Sequence, residues 1–291
     1  MEIPVNRLVQ PPPTVRIRTN PHLDGFKLGL NRSPIVLIGF VSAVYAFLLV
    51  PTAIVVVVSL NAAEYLSFPP TGISLRWYRA FFAAGQFVDA LWFSIGLGIA
   101  AALLATLIGT PAAIFYVRFL RAGREQFRFA VLSPILLPEV LTAIALLFFF
   151  NQLLGGTQSI LPLVIGHVVV TLPFVFLTVT SALYNMPEAV EEAARTLGAG
   201  PWRSFFRVTL PLIRSGVITG ALLAFIMSFD NVNISLLLKS VGTTTLPIQL
   251  FDYLRYDFDP TAAAASTVSI ALTMTLLVVI DRTFGLRAVR F

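Results

Sequence analysis

Two carboxylates, Glu139 and Asp230, stand inside stretches that are otherwise almost wholly apolar, and Asn231 and Asn233 follow the second of them. Ionisable groups in runs long enough to cross a bilayer are costly, and they face either a partner group or a watery path. Carboxylates flanked by amides along such a path suit a cationic or polyol-like solute better than an anion. Glu139 follows Pro138 and shares its run with Pro134. Prolines free backbone carbonyls, and interrupted helices are tolerated where they line a cavity. Each carboxylate also has a plainer reading. An acid directly after a proline caps a restarted helix through the macrodipole, and Asp230 can pair with a basic residue of a neighbouring subunit. His167, in a further apolar run, reads as a hydrogen-bonded packing residue.

Other chemistry is excluded by residue type. The chain has no cysteine, and its two histidines, His22 and His167, are too far apart to suggest a metal pair. Neither H-E-x-x-H nor G-x-S-x-G occurs, and no G-x-x-x-x-G-K-[ST] run exists to cradle nucleotide phosphates. No catalytic residue, metal site or cofactor is therefore expected in this chain, and any nucleotide energy must come from another subunit.

The elements that must position these groups follow from composition. Of the 291 residues, 57% are hydrophobic and 12% charged, far from the soluble average. A bilayer core about 30 Å thick needs about 20 apolar helical residues. Six such stretches occur, near residues 35–60, 89–117, 128–150, 159–184, 214–237 and 263–283. The expected organisation is an all-α membrane protein: a tail over 1–34, a six-span domain over 35–283 and a short tail over 284–291. The short turn from Asn151 to Gln158 makes the third and fourth spans antiparallel neighbours. No small-residue cleavage site follows the first apolar stretch, which therefore reads as an uncleaved anchor.

The net charge of +6 is distributed unevenly. With the N-terminus inside, the cytoplasmic side carries Arg7, Arg16, Arg18, Lys27 and Arg32, then Arg118, Arg121, Arg124 and Arg128. Arg195, Arg203, Arg207 and Arg214 follow, then Arg282, Arg287 and Arg290, making 16 of the 20 basic residues. The other side holds Arg76, Arg79, Lys239 and Arg255. The positive-inside rule then places both termini in the cytoplasm. It also explains the basic balance by the bilayer, with no nucleic-acid partner.

The cytoplasmic segment 185–213 has a recognisable local logic. Pro187 followed by Glu188, Glu191 and Glu192 puts proline and acids in a first helical turn. Gly198 and Gly200 end that helix, and Pro201 starts another. Ala193, Ala194 and Leu197 give the first helix a small apolar side, its charges facing outward, suited to docking in a cleft. On the other side, Ser74 reads as a helix N-cap, with Leu75, Tyr78 and Phe82 on one face of an interfacial aromatic helix.

Glu192-Ala193-Ala194, three residues, Gly198, nine residues, then Val208-Thr209-Leu210-Pro211 resembles the E-A-A-x3-G-x9-I-x-L-P loop of ATP-binding-cassette importer permeases. Val208 in place of isoleucine is the one departure, a swap of β-branched residues. The resemblance implies a six-span, type I importer-like permease of a bacterial inner membrane. It also implies that the helix holding Glu191, Glu192, Ala193, Ala194, Leu197, Gly198 and, across the turn, Pro201 couples to a cytoplasmic ATPase dimer that binds the ATP and magnesium. A periplasmic binding protein and a second, non-identical permease complete the implied assembly. Ser228-Phe229-Asp230-Asn231 and the stretch from Phe68 to Phe82 are similar to spermidine/putrescine-type permeases, which implies a polyamine or related amino compound as cargo. Ferric iron, an aminophosphonate or a sugar derivative are the alternatives within that mechanism. A stand-alone secondary transporter is the rival outside it, and would need internal repeats and coupling-ion sites.

Overall fold

A computed structural model describes residues 34–154, 159–257 and 259–284. The predicted tails, His22 and residues 155–158 of the turn between the third and fourth spans lie outside these residues. The chain divides into two compact units at Thr52/Ala53. In the first, the described residues are helical, the start of α1 (Pro34–Ser59). Phe40 and Phe47 point outward there, as an apolar helix does when lipid is its solvent.

The second unit holds the remaining elements. α2 (Arg76–Ala83) and α3 (Gly85–Ile114) lead into a wider π-helical turn, Phe115–Phe119. α4 (Arg124–Leu136), α5 (Glu139–Leu154) and α6 (Leu161–Tyr184) follow. α7 (Glu188–Thr196) and α8 (Pro201–Ser204) precede a second π-helical turn, Phe205–Thr209, which opens α9 (Leu210–Phe229). α10 (Asn233–Leu238), α11 (Leu246–Tyr253) and α12 (Thr261–Phe284) complete the fold. No strand forms among the described residues; an isolated antiparallel bridge joins Asn61 to Ile73.

The core is a three-helix bundle of α3, α6 and α9. α3 and α6 run parallel: Leu97 shares one buried cluster with Leu163, while Tyr116 shares another with Phe176 and Leu183. α9 runs antiparallel to both, with Gly216 against Ala182 and Thr178, and Phe225 against Gly98. Gly216 and Gly220, one turn apart, let the α6 and α9 backbones approach closely. A Cβ at Gly216 would lie 2.5 Å from Ala182 Cβ, and one at Gly220 would lie 2.9 Å from Val175 Cα. Small residues four apart are the usual means of close helix contact in membranes, where burial against lipid supplies no hydrophobic drive.

Among the described residues five helices are long and apolar enough to cross a membrane, and a sixth crossing exists if α4 and α5 form one. The third span is interrupted at its prolines: α4 and α5 are bent by 103° at their junction. Leu137 there adopts extended backbone (φ −89°, ψ 147°) ahead of Pro138, which disfavours helix in the residue before it. The expected fifth span is also broken. α9 stops at Phe229, and α10 restarts only at Asn233, so Asp230 lies in an interruption instead of inside a helix. α2 packs on the bundle through a face other than that of Leu75 and Phe82. Trp77 and Phe81 are buried while Leu75 and Phe82 are exposed, and Tyr78 shares a 2.6 Å hydrogen bond with Ser59. The N-cap of α2 is Leu75 and not Ser74, although Ser74 Oγ accepts from the Arg76 N–H at 3.1 Å.

α3 and its π-turn form one helix of 35 residues, about 50 Å long at 1.5 Å per residue. It separates two poles. α2 and α11 lie at its start, where Ser94 Oγ accepts from the Leu246 N–H at 2.8 Å. α7 lies at its end, where Arg118 reaches Glu191.

Candidate functional site

The segment 185–213 folds as its residues dictate. Pro187 takes extended backbone as N-cap of α7, and Gly198 adopts the left-handed conformation (φ 84°) just past its end. The Gly198 N–H donates to the Arg195 carbonyl at 2.9 Å and the Ala199 N–H to the Ala194 carbonyl at 3.0 Å. This pair of bonds is a Schellman closure, satisfying carbonyls that a helix end would otherwise leave open. Gly200 is the N-cap of α8 and Pro201 its first residue. Leu197 is 89% exposed and Trp202 77% exposed, with Trp202 stacked on Phe206 at 6.2 Å. A short helix and turn thus leave two large apolar side chains, Leu197 and Trp202, mostly exposed.

The charges of α7 do not all face outward, contrary to expectation. Glu192 is exposed, but Glu191 turns back toward the bundle. Its Oε1 accepts from Thr209 Oγ1 at 2.8 Å and lies 3.4 Å from Arg118 Nη2. The cleft behind α7, about 380 Å³, is lined among others by Arg118, Glu191, Glu192, Arg195 and Thr209. Nearby, Arg124 sits over the Tyr116 ring at 4.8 Å and donates to Tyr184 Oη at 2.8 Å, tying α4 to α3 and α6. In the sequence Arg118 counted only toward the positive side, and nothing local marks its partner.

Toward the other pole, the polar residues of the apolar runs converge on the interruption between α9 and α10. Glu139, in the first turn of α5, accepts from the side-chain amides of both Asn231 and Asn233, the latter at 2.8 Å. Asn231 Oδ1 accepts from the Ile234 N–H at 2.9 Å and so caps α10. Locally, Glu139 opens a helix directly after a proline and binds two amides across the broken span. Its oxygens are engaged by amides.

His167 is fully buried, its Nδ1 2.7 Å from Ser228 Oγ and its Nε2 3.0 Å from Ser235 Oγ. It joins α6 to both sides of the interruption, which is the packing role read from the sequence. The interruption therefore has a built geometry. Asp230 is exposed at its apex, and no hydrogen bond or ion pair involves its carboxylate among the described residues. The four residues expected to line a path are thereby grouped, but unequally: Asn231 and Asn233 each bind Glu139, and Asp230 is exposed. Among the described residues no group of three or more His, Cys, Asp or Glu side chains could hold a metal ion.

A family model for the inner membrane component of binding-protein-dependent transport systems matches residues 105–289. The chain belongs to that family. The matched region runs from α3 through the α7 segment and the α9–α10 interruption, so the elements just described lie inside the family's own domain. Among similar proteins, the putrescine transport system permease protein PotI of Escherichia coli strain K12 is 33% identical over 251 residues, 83% of this chain and 87% of that one. The spermidine/putrescine transport system permease protein PotC of Haemophilus influenzae is 31% identical over 240 residues, 82% of this chain and 92% of that one. In structure, a bacterial ABC transporter involved in import of the acidic polysaccharide alginate matches at a TM-score of 0.65 with 18% identity, covering 87% of this chain and 96% of that one. The fold is that of a type I ABC importer permease, as the sequence resemblance implied. As a member of this family the chain is a permease subunit of a binding-protein-dependent importer, a transport component and not an enzyme. Such an importer includes an ATPase and a substrate-binding protein as separate components.

Proposed function

We propose that this chain is one of two non-identical permeases of a bacterial inner membrane importer whose cargo is a polyamine or a related small organic cation. The observation that carries the cargo is the Asp230 carboxylate, exposed at the apex of a helix interruption without an internal counter-charge. A fixed anion of that kind is completed by a passing ammonium group. The names of the relatives, which move putrescine and spermidine, agree with that chemistry. Asn231 and Asn233 line the path beside it, and Glu139 holds them in place through its two amide contacts.

In this reading both termini are cytoplasmic, as the basic residues favour. The α7–α8 segment then lies on the cytoplasmic side, where Glu192, Ala193, Ala194, Leu197, Gly198 and Pro201 form the surface that enters a cleft of the ATPase dimer. The exposed Leu197 and Trp202 support this, since an apolar docking surface needs a partner to cover it. ATP and magnesium belong to that dimer, and a periplasmic binding protein delivers solute at the α2/α11 pole. ATP closes the dimer, the coupling helices approach each other, and the bundles change from inward to outward opening.

The cargo is tested by ATP-driven uptake of labelled putrescine into proteoliposomes holding the assembled complex and its binding protein. Asp230→Asn is expected to lower uptake about tenfold or more, the scale of a hydrogen bond to a charged group. Competition by spermidine and none by molybdate supports the reading. Parental uptake by Asp230→Asn, or competition by molybdate, removes it.

A further inference from the structure

Glu191 lies in the segment assigned to ATPase docking, yet its side chain points the wrong way for that task. We propose that Glu191 is instead a positioning residue: with Arg118 and Thr209 it forms a latch that makes α7 move as one body with the adjoining ends of α3 and α9. The inference rests on the coupling role proposed for residues 185–213.

α7 has nine residues, too few to hold a helix by propensity alone, and one of its sides carries the exposed Ala193 and Leu197. Something must fix it to the bundle if a push on that side is to be transmitted. Glu191 does so at one oxygen, Oε1, which takes the Thr209 hydroxyl at 2.8 Å and lies 3.4 Å from the Arg118 guanidinium. The two partners belong to different transmembrane helices. They share an unusual local setting: Arg118 is in the π-helical turn that ends α3, and Thr209 closes the π-helical turn that opens α9. Single π-turns loosen the backbone ladder and recur at functional hinges. One carboxylate thus bridges the two hinge-like turns of the described bundle, from the helix that the ATPase would move.

Burial separates this pair from ordinary surface ion pairs. The Arg118 and Glu191 side chains are 16% and 13% exposed, against 44% and 81% for the Arg76–Glu64 pair. An exposed pair contributes little, whereas removing one member of a mostly buried pair leaves a charge without its partner. Thr209 is itself buried. Displacing α7 without displacing α3 and α9 would require breaking these contacts together. In-plane force on the docking surface therefore reaches two helices at once, and α9 carries it to the interruption at Asp230.

The absence of native cysteine makes a direct test available, since Met227, 43% exposed near the far end of α9, can be replaced by a unique thiol. In the purified complex with cysteine-free partner subunits, maleimide labelling of Met227→Cys is measured with and without ATP and vanadate. ATP is expected to change the labelling rate in the parent, and Arg118→Met to reduce that change roughly tenfold, as loss of a charge-assisted contact implies. Arg118→Lys, which keeps the charge, is expected to restore part of the response. A role confined to stability would instead lower the thermal midpoint of the assembled complex in Arg118→Met while leaving its ATP-dependent change in labelling at the parental size. If Arg118→Met does not assemble, Thr209→Val removes only the hydroxyl contact and is expected to reduce the response by a smaller factor. A separate Leu197→Cys reporter reads docking as protection by the ATPase. Protected Leu197→Cys with an undiminished ATP response in both Arg118→Met and Thr209→Val overturns the latch alone. Unprotected Leu197→Cys in the parent overturns the docking role and the latch together.

Discussion

Gly198 separates two demands on the docking loop, backbone shape and open space. Its φ of 84° lies where an L side chain costs about 1–2 kcal/mol. No heavy atom lies within 4 Å of an added Cβ, so Gly198→Ala introduces backbone strain without a clash in the isolated chain. A cost of about 1–2 kcal/mol lowers the occupancy of the native turn by about 5–30-fold. The same factor is expected in the affinity of the solubilised chain for its ATPase subunit, measured by titration in an interferometer. Gly198→Asn is expected to lose less, because asparagine tolerates this conformation. Gly198→Trp is expected to lose more than alanine, since the indole adds bulk beside Leu197 where the ATPase cleft must close. The melting temperature of the helical bundle should stay unchanged in all three, as the position is exposed and outside the core. Equal losses for alanine and tryptophan would mean that only the turn matters and nothing docks there. Parental affinity for both would refute the docking role of this loop.

Other outcomes follow from the buried contacts. His167→Leu leaves the Ser228 and Ser235 hydroxyls without their partner and should cost about 2–4 kcal/mol, read as a lower thermal midpoint in detergent. Gly220→Leu forces a side chain into the space held by Thr178 and Val175, at a cost of about 3 kcal/mol or more, and should reduce the monodisperse protein recovered by gel filtration. Glu139→Gln exchanges one acceptor oxygen for a donor facing an asparagine amide. It is expected to lower putrescine uptake several-fold while assembly with the ATPase is kept, as judged by co-purification.

Hydropathy located the helices to within a few residues at α1, α6 and α12, because length and apolar content carry most of that information. The turn at Gly198 was legible for a local reason, since left-handed backbone after a short helix calls for glycine. A restart after Pro138 was legible as one reading, but the size of the bend between α4 and α5 was not. Pro134 sits inside α4, and only Pro138 coincides with the break. The end of α9 was hidden because apolar residues continue through Leu238. The polar group Asp230, Asn231 and Asn233 signalled an interruption only once Asn231 was seen capping Ile234. Glu191 and Glu192 look alike in sequence, and which one turns inward depends on Arg118 and Thr209, each far from it along the chain. Local rules supply no such direction.

The most direct measurement is ATP-driven uptake by the purified assembly. The tagged chain is isolated with its ATPase and second permease, sealed into liposomes with ATP inside, and supplied with labelled putrescine and the binding protein outside. Accumulation that requires both ATP and the binding protein is the expected result. Accumulation by the chain alone, driven by a proton or sodium gradient and indifferent to ATP, would contradict it.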